Sequence, residues 1–387
     1  MFLSRIADVS RDGGADSTKK TRAGKGRRIL AIALYCVALL LLVEGGARVT
    51  WQVLDTSWDM VVPQEISRFD PFLGWSLVPG SQAVSKATGR PVVYAINAKG
   101  FRGPDIPYVK PAGERRIVLL GDSHAFGFGI PEDLRFSTLL EGYLPRTKVV
   151  NLAVSGYGMD QMLLTLTRKA ARFAPDLIIA YVPHYADLRH LRDKVWGLGK
   201  PRYALPPDGA LRLTNSPVAN NGFLHALALD ADRQAARLSR AYRLLRDAVF
   251  HCIVTREQLV AKGPDAATLR EAERLGEAIV AAMARESAAH GAKFLLVTRV
   301  GELAVHAINA GIPCLFLGDS LNNPHLSLRH DPTRHPNEAA NGIIAWAIAR
   351  DIERHHLLPP IPTDAPPPLD ATGKPPKQKD ASGGRGA

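Results

Sequence analysis

The sequence predicts an α/β domain built on a mostly parallel sheet, carried behind an N-terminal membrane helix and a β-rich lead-in. Three observations lead there. Ile117-Val118-Leu119-Leu120 is a continuous apolar run that feeds Gly121-Asp122-Ser123 and then a Gly-rich loop. A strand buried on both faces of a parallel sheet reads as such a run, not as an alternation. From residue 113 onward, apolar runs alternate with helical patterns, the signature of βα units. Finally, Ile29 to Val43 is uninterrupted apolar sequence behind a basic leader.

The formal charge of +12 over 387 residues invites a nucleic-acid reading, but its distribution argues otherwise. Residues 1–28 hold eight Lys/Arg against three Asp, and the remaining excess is scattered. A stripe of Lys/Arg interleaved with aromatics, the footprint of a nucleic-acid binder, is absent from the sequence. Basic residues beside an apolar run fit the positive-inside rule instead. The three cysteines, Cys36, Cys252 and Cys314, form no CxxC and no Cys/His ligand spacing, so neither a structural metal nor a cofactor is expected. Cys252 and Cys314 read as buried thiols, with a disulfide between them as the alternative.

Residues 1–28 are polar, basic and rich in small residues, a composition that predicts disorder. Residues 29–48 have two readings. Fifteen apolar residues suit a signal-peptide core, with Gly45-Gly46-Ala47 as a weak cleavage site. The long leader, a snorkelling Arg28 and Trp51 at an interface favour an uncleaved single-pass anchor. Either way the bulk of the chain is expected across the inner (cytoplasmic) membrane, on the periplasmic or extracytoplasmic side. Residues 49–112 form the lead-in, with turns at Asp70-Pro71 and Val78-Pro79-Gly80 and a strand over Val92–Asn97.

Strands are predicted at 116–120, 148–153, 176–182, 293–298 and 312–317 within a domain spanning 113–357. Pro131-Glu132-Asp133 opens a helix that leads into Phe136, Leu140 and Tyr143. Another, from about Met159 to Phe173, carries Met162, Leu163, Leu166 and Ala170 on one core-facing stripe. An insertion at 196–290 starts Pro-, Gly- and Asn-rich. It continues helical, with Leu238, Tyr242, Leu245 and Val249 on one face and a second helix over about 265–290. Asn337-Glu338 starts the last helix, and 358–387 is a Pro-rich tail predicted to be disordered.

Ser123 lies at the carboxyl end of a strand, where open α/β sheets place their ligands. A serine hydroxyl becomes a nucleophile when a base takes its proton and a third group fixes the base's tautomer. The base candidate is His335, in Asp331-Pro332-Thr333-Arg334-His335-Pro336-Asn337, with Asp331 four residues before it as orienter. A loop after the last strand lies at the same sheet edge as Ser123. Oxyanion donors are available in the backbone N–H groups of Ser123 and of Gly156, just past the second strand. His124 is read as positional. Gly318-Asp319-Ser320 repeats the nucleophile motif after another apolar run, but no glycine block follows it. No phosphate-binding glycine loop is present.

Gly121-Asp122-Ser123 after a first strand, Gly156 after a second and His335-Pro336-Asn337 near the end resemble the SGNH/GDSL hydrolases. Asn97-Ala98-Lys99-Gly100-Phe101-Arg102-Gly103 and Phe126-Gly127-Phe128-Gly129-Ile130 resemble its membrane-anchored bacterial members. The resemblance implies a flavodoxin-like three-layer α/β/α sandwich and esterase, lipase or acyl-transfer activity. It assigns Ser123 as nucleophile, Gly156 N–H as oxyanion donor, His335 as base and Asp331 as its orienter. Two departures stand out. The third block, Tyr181-Val182-Pro183-His184-Tyr185-Ala186-Asp187, has no Asn, and His184 takes its place; a neutral imidazole can donate one hydrogen bond. The family usually sets Asp three residues before His, and here the separation is four. The expectation is a membrane-anchored serine esterase or O-acyltransferase acting on an ester of a cell-envelope glycan or lipid. Its partners would be that acyl ester and the membrane, through 29–48, with no nucleic acid. The alternative is a catalytically silent domain of the same fold that binds envelope glycan or a partner protein.

Overall fold

The computed structural model describes residues 14–53, 66–85, 91–184, 186–195, 198–218, 234–235, 238–245, 248, 264–321, 323–328 and 334–360. Contacts divide the chain into two units. One holds Met1–Thr56 with Ala235–Arg246, and the other holds the rest.

The first unit is dominated by helix α1, Gly14–Val53. Its segment Arg27–Thr50 has a mean hydropathy of 2.4, long and apolar enough to cross a membrane. The helix begins inside the basic leader, which composition predicted to be disordered. The physical reason is propagation: an apolar helix already nucleated extends cheaply through Lys, Arg and Ala, all good helix formers. Residues 1–13 lie outside the described residues.

The second unit opens on two antiparallel hairpins, β1 (Ser67–Asp70) with β2 (Gly74–Leu77) and β3 (Gln82–Ser85) with β4 (Val92–Ala95). The α/β domain follows as β5 (Arg115–Leu120), α2 (Ser123–Phe126), α3 (Phe136–Tyr143), β6 (Thr147–Asn151), α4 (Met159–Lys169) and β7 (Leu177–Val182). Two small hairpins follow at the start of the insertion, the first beginning just before it. These are β8 (Lys194–Val195) with β9 (Leu198–Gly199), and β10 (Arg202–Ala204) with β11 (Arg212–Thr214). Then come α5 (Ala266–Ala289), β12 (Lys293–Thr298), α6 (Gly301–Asn309), β13 (Cys314–Phe316) and α7 (Glu338–Arg354).

β5, β6, β7, β12 and β13 form one parallel sheet in the order β13-β12-β7-β5-β6. Counted in chain order within the sheet, this is 2-1-3-4-5, the flavodoxin-like doubly wound arrangement. Five strands were expected and five are found, with ends differing by one or two residues. Strand side chains alternate between two cores. Ile117, Leu119, Ile179 and Leu295 face α3 and α7, against Phe136, Leu140, Ile344 and Ile348. Val118, Leu120, Ile178 and Leu296 face the other layer, against Met162, Leu166, Ile279 and Leu303. The sheet is therefore covered on both faces, which is why its strands read as unbroken apolar runs.

Some expectations shift. The helix predicted over Met159–Phe173 ends at Lys169 and tightens into a 3₁₀ turn over Ala170–Phe173. The helix from Pro131 splits into a 3₁₀ turn, Glu132–Leu134, and α3. Cys314 is a free, half-buried thiol on the edge strand, and Cys252 lies outside the described residues.

Candidate active site

Strand β5 delivers Ser123 through a turn that only a glycine permits. A Cβ on Gly121 would lie 2.4 Å from the Ala125 Cβ. Asp122 caps the short helix α2, its Oδ1 accepting from His124 N–H at 2.9 Å. Gly127 ends that helix in the left-handed region, at φ +81°, with its N–H donating to the Ser123 and His124 carbonyls. Ser123 thus sits at the start of α2, beyond β5 and beside β7, at the point where the strand order reverses. Ser320, in the repeated motif, follows the edge strand β13 instead.

His335 reaches this serine from far along the chain. Its Nε2 lies 2.7 Å from Ser123 Oγ, and both residues are only 2% exposed. The loop that carries it is stitched to its neighbours. Leu328 N–H donates to the His335 carbonyl at 2.9 Å, and Asn337 N–H to Leu326 at 2.9 Å. Asn337 caps α7 by accepting from Ala340 N–H and donates its amide to the His325 carbonyl at 2.6 Å. Arg334, directly before the histidine, takes a left-handed φ of +55°, a conformation with a steric cost for any residue that has a Cβ. Asn341 ties α7 to α3, accepting from Phe136 N–H and donating to the Pro336 carbonyl.

Phe128 and His124 both pack against the His335 ring, each with centroids 4.6 Å apart. His184 packs edge-on against His124 at 4.8 Å. Asp122 Oδ1 lies 3.2 Å from His124 Nδ1, and Arg189 Nη1 stands 3.9 Å from Asp122 Oδ2. Burial alone would raise the Asp122 carboxyl. His124, His184 and Arg189 outweigh burial and hold it well below the usual carboxylate range. Burial, reinforced by His124 and opposed by Asp122, pushes His184 down to about 3, so its imidazole is neutral at pH 7.

Gly156 lies in the turn after β6, at φ +85°. Among the described residues, neither its N–H nor that of Ser123 has a hydrogen-bond acceptor. The turn is braced from outside the domain. Trp75 Nε1–H donates to the Ser155 carbonyl at 3.0 Å, Tyr157 O–H donates to the Trp75 carbonyl at 2.7 Å, and the two rings meet edge-on. Asp331 lies outside the described residues.

Sequence reasoning missed the residues that hold this site. Arg102 is buried, and its guanidinium donates to the carbonyls of Phe126 at 3.1 Å, Gly127 at 2.6 Å and Ile130 at 2.6 Å. Burial and neighbouring Arg135 push it down to about 9, still charged at neutral pH. Gly129 N–H donates to the Tyr94 hydroxyl at 2.8 Å. Behind the site, the Lys200 ammonium is fully buried against Asp160 and donates to the carbonyls of Arg189, Arg192 and Pro201. The only signal for Arg102 was its place in Asn97–Gly103, which by composition reads as a turn.

Asp122, His124 and His184 each bring a ligand-type atom within 4.8 Å of the others, a donor set suited to a transition-metal ion. The cluster is already knit by hydrogen bonds from His124 to Asp122, with Arg189 as its cation.

No family model and no curated protein sequence matches the chain. Solved structures do. TesA is 14% identical, with 62% of this chain and 99% of that one covered and a TM-score of 0.34. The psychrotrophic esterase EstA from Pseudoalteromonas sp. is 13% identical, with 63% and 99% covered and a TM-score of 0.34. A member of the lipolytic protein G-D-S-L family from Veillonella parvula is 11% identical, with 62% and 99% covered and a TM-score of 0.32.

Proposed function

We propose that the chain is a serine ester hydrolase of the SGNH/GDSL type. The observation that carries this reading is the 2.7 Å contact between Ser123 Oγ and His335 Nε2 across 212 residues of sequence. In the proposed cycle, His335 takes the Ser123 proton as Oγ attacks the ester carbonyl. The oxyanion faces the N–H groups of Ser123 and Gly156, with the neutral His184 ring as a third donor. His335 then returns the proton to the departing alcohol. Water, activated by the same imidazole, cleaves the acyl-serine; a sugar hydroxyl in its place would make the reaction an acyl transfer. Asp331 is the proposed orienter of His335. That role rests on the resemblance and on the sequence, where Asp331 precedes His335 by four residues.

The apolar segment Arg27–Thr50 supports a membrane-anchored reading, with the esterase domain on the side opposite the basic leader. From that location we infer an ester of an envelope glycan or lipid as substrate. A second reading, a silent binding domain, is favoured by one fact: Ser123 is only 2% exposed.

The test uses the full chain in detergent with p-nitrophenyl acetate and, separately, a fluorophosphonate probe. Turnover and labelling that both vanish in Ser123→Ala, with turnover lost in His335→Ala, are the expected results. An unlabelled wild type whose trace rate equals that of both variants sinks the enzyme reading and favours the silent domain.

A further inference from the structure

The unit that holds α1 also holds a short piece of the insertion, residues 235–246. The two meet at Glu44. Its carboxylate accepts from the Ser239 hydroxyl at 2.8 Å, from Arg240 N–H at 2.9 Å and from Ala241 N–H at 3.2 Å. Arg48, one turn further along α1, donates to the same carboxylate at 2.9 Å. Glu44, Ala47 and Thr50 form the covered stripe of α1, while the apolar residues from Ile29 to Val43 are exposed.

The position of Glu44 along the span gives this contact its meaning. Arg28 and Arg48 are separated by a helical rise of about 30 Å, the thickness of the hydrocarbon core. Glu44 then lies about 6 Å inside Arg48, at the hydrocarbon edge. A carboxylate at that depth needs partners. Four hydrogen bonds supply them, three from the insertion. Whatever donates to Glu44 must sit at the same depth.

That condition fixes the surroundings of the donating segment. Tyr242 and Leu245 lie a turn apart on the helical stretch 240–245 that Ser239 caps, Leu238 directly precedes that cap, and the three are 38%, 65% and 78% exposed. Arg240 and Arg243 lie on the same short stretch, with Arg237 and Arg246 flanking it in sequence. Exposed apolar residues with arginines between them on a short helical stretch is the pattern of a segment lying in a membrane interface.

We infer that residues 238–245 form an interfacial foot. Leu238, Tyr242 and Leu245 enter the acyl–headgroup boundary of the membrane that α1 crosses. The arginines lie at the level of anionic headgroups. This rests on the membrane-anchored reading of α1. The occupant of the apolar face is lipid, because Glu44 sets the face at lipid depth.

The test places an environment-sensitive NBD label on Leu238→Cys or Leu245→Cys, in a full chain whose native cysteines are replaced. The protein is reconstituted in nanodiscs with one-third anionic lipid. Quenching by a nitroxide lipid is compared with quenching by a water-soluble chromium chelate, and Leu34→Cys serves as the label within the span. At 238 and 245 the nitroxide lipid should quench at least twofold more strongly than the chelate. Glu44→Ala, which releases the segment, should reverse that ratio. Chelate-dominated quenching at 238 and 245, with Leu34→Cys still quenched by lipid, overturns the inference and leaves the anchor standing. Chelate-dominated quenching at all three positions removes the anchor and the foot together. Disulfide crosslinking of Leu238→Cys between copies, without lipid quenching, gives the face to a second copy and also overturns it.

Discussion

Replacing Arg102 by Met should be among the most damaging single changes outside the serine and histidine. Among the described residues the guanidinium alone binds the Ile130 carbonyl, and it shares that of Gly127 with the Ile130 N–H and that of Phe126 with Arg135. Methionine matches the stem of the side chain but donates nothing. A buried acceptor left without a partner costs about 1–3 kcal/mol. One fully orphaned carbonyl and two that keep a partner give roughly 2–4 kcal/mol. Glu132 softens nothing, because it keeps Arg135 as its ion-pair partner. A loss of that size is a large part of a typical folding free energy of about 5–15 kcal/mol. The loop from Gly127 to Ile130 also carries Phe128, the ring packed on His335. Activity should therefore fall further than the folded fraction does. Urea unfolding followed by circular dichroism reads the first effect. Ester turnover per folded molecule reads the second. Arg102→Lys, with one ammonium for three acceptors, should fall between. A Met variant within about 1 kcal/mol of wild type, with unchanged turnover, would refute the clamp.

Other outcomes follow from the same geometry. Lys200→Met leaves Asp160 buried without its cation and should cost about 3–5 kcal/mol, whereas Lys200→Met combined with Asp160→Leu should recover most of it in urea titrations. If the double variant is no better than the single, the loss lies in the Arg189–Pro201 backbone contacts instead. His184 is held below its ordinary value of 6.5, at about 3. The unfolded chain therefore takes up that proton first, and stability is fully present above about pH 6.5. It declines as pH falls toward 3, by up to roughly 5 kcal/mol from this residue. His184→Gln should flatten that slope in unfolding measured between pH 4 and 7; an unchanged slope would show that other groups set it.

The central sheet was legible because its chemistry is local. Each of the five strands is a run of residues buried on both sides, and the glycine turn after β5 follows from one close approach, Gly121 to Ala125. The pairing of Ser123 with His335 was legible through topology, since both follow strands and open helices at one sheet edge. The hairpins β8 to β11 were not. Their strands run two or three residues among Pro, Gly and Asn, too short for alternation to register. Arg102, Trp75 and Lys200 were hidden for another reason. Each acts by donating to backbone carbonyls, and a carbonyl leaves no mark in a sequence.

That hidden layer changes what the lead-in is for. Composition suggests a β-rich extension packed against the domain. The hydrogen bonds show it gripping two of the loops that border Ser123, the Gly156 turn and the loop after the serine. Trp75 holds the Gly156 turn through Ser155, and Gln161 closes the same turn by donating to the Leu73 carbonyl and accepting from Gly158 N–H. Tyr94 and Arg102 hold the loop after the serine. Both loops begin at glycines with positive φ, Gly127 and Gly156, which admit the turn but do not stabilise it. The stabilisation comes from donors on the lead-in. Pre-organised N–H groups lower a transition state only if they are held before the charge develops. A chain lacking residues 1–112 would keep both glycines but lose the groups that fix them, together with the buried Ile66, Leu73 and Tyr94, so stability should fall in urea titrations and ester turnover per folded molecule should fall further.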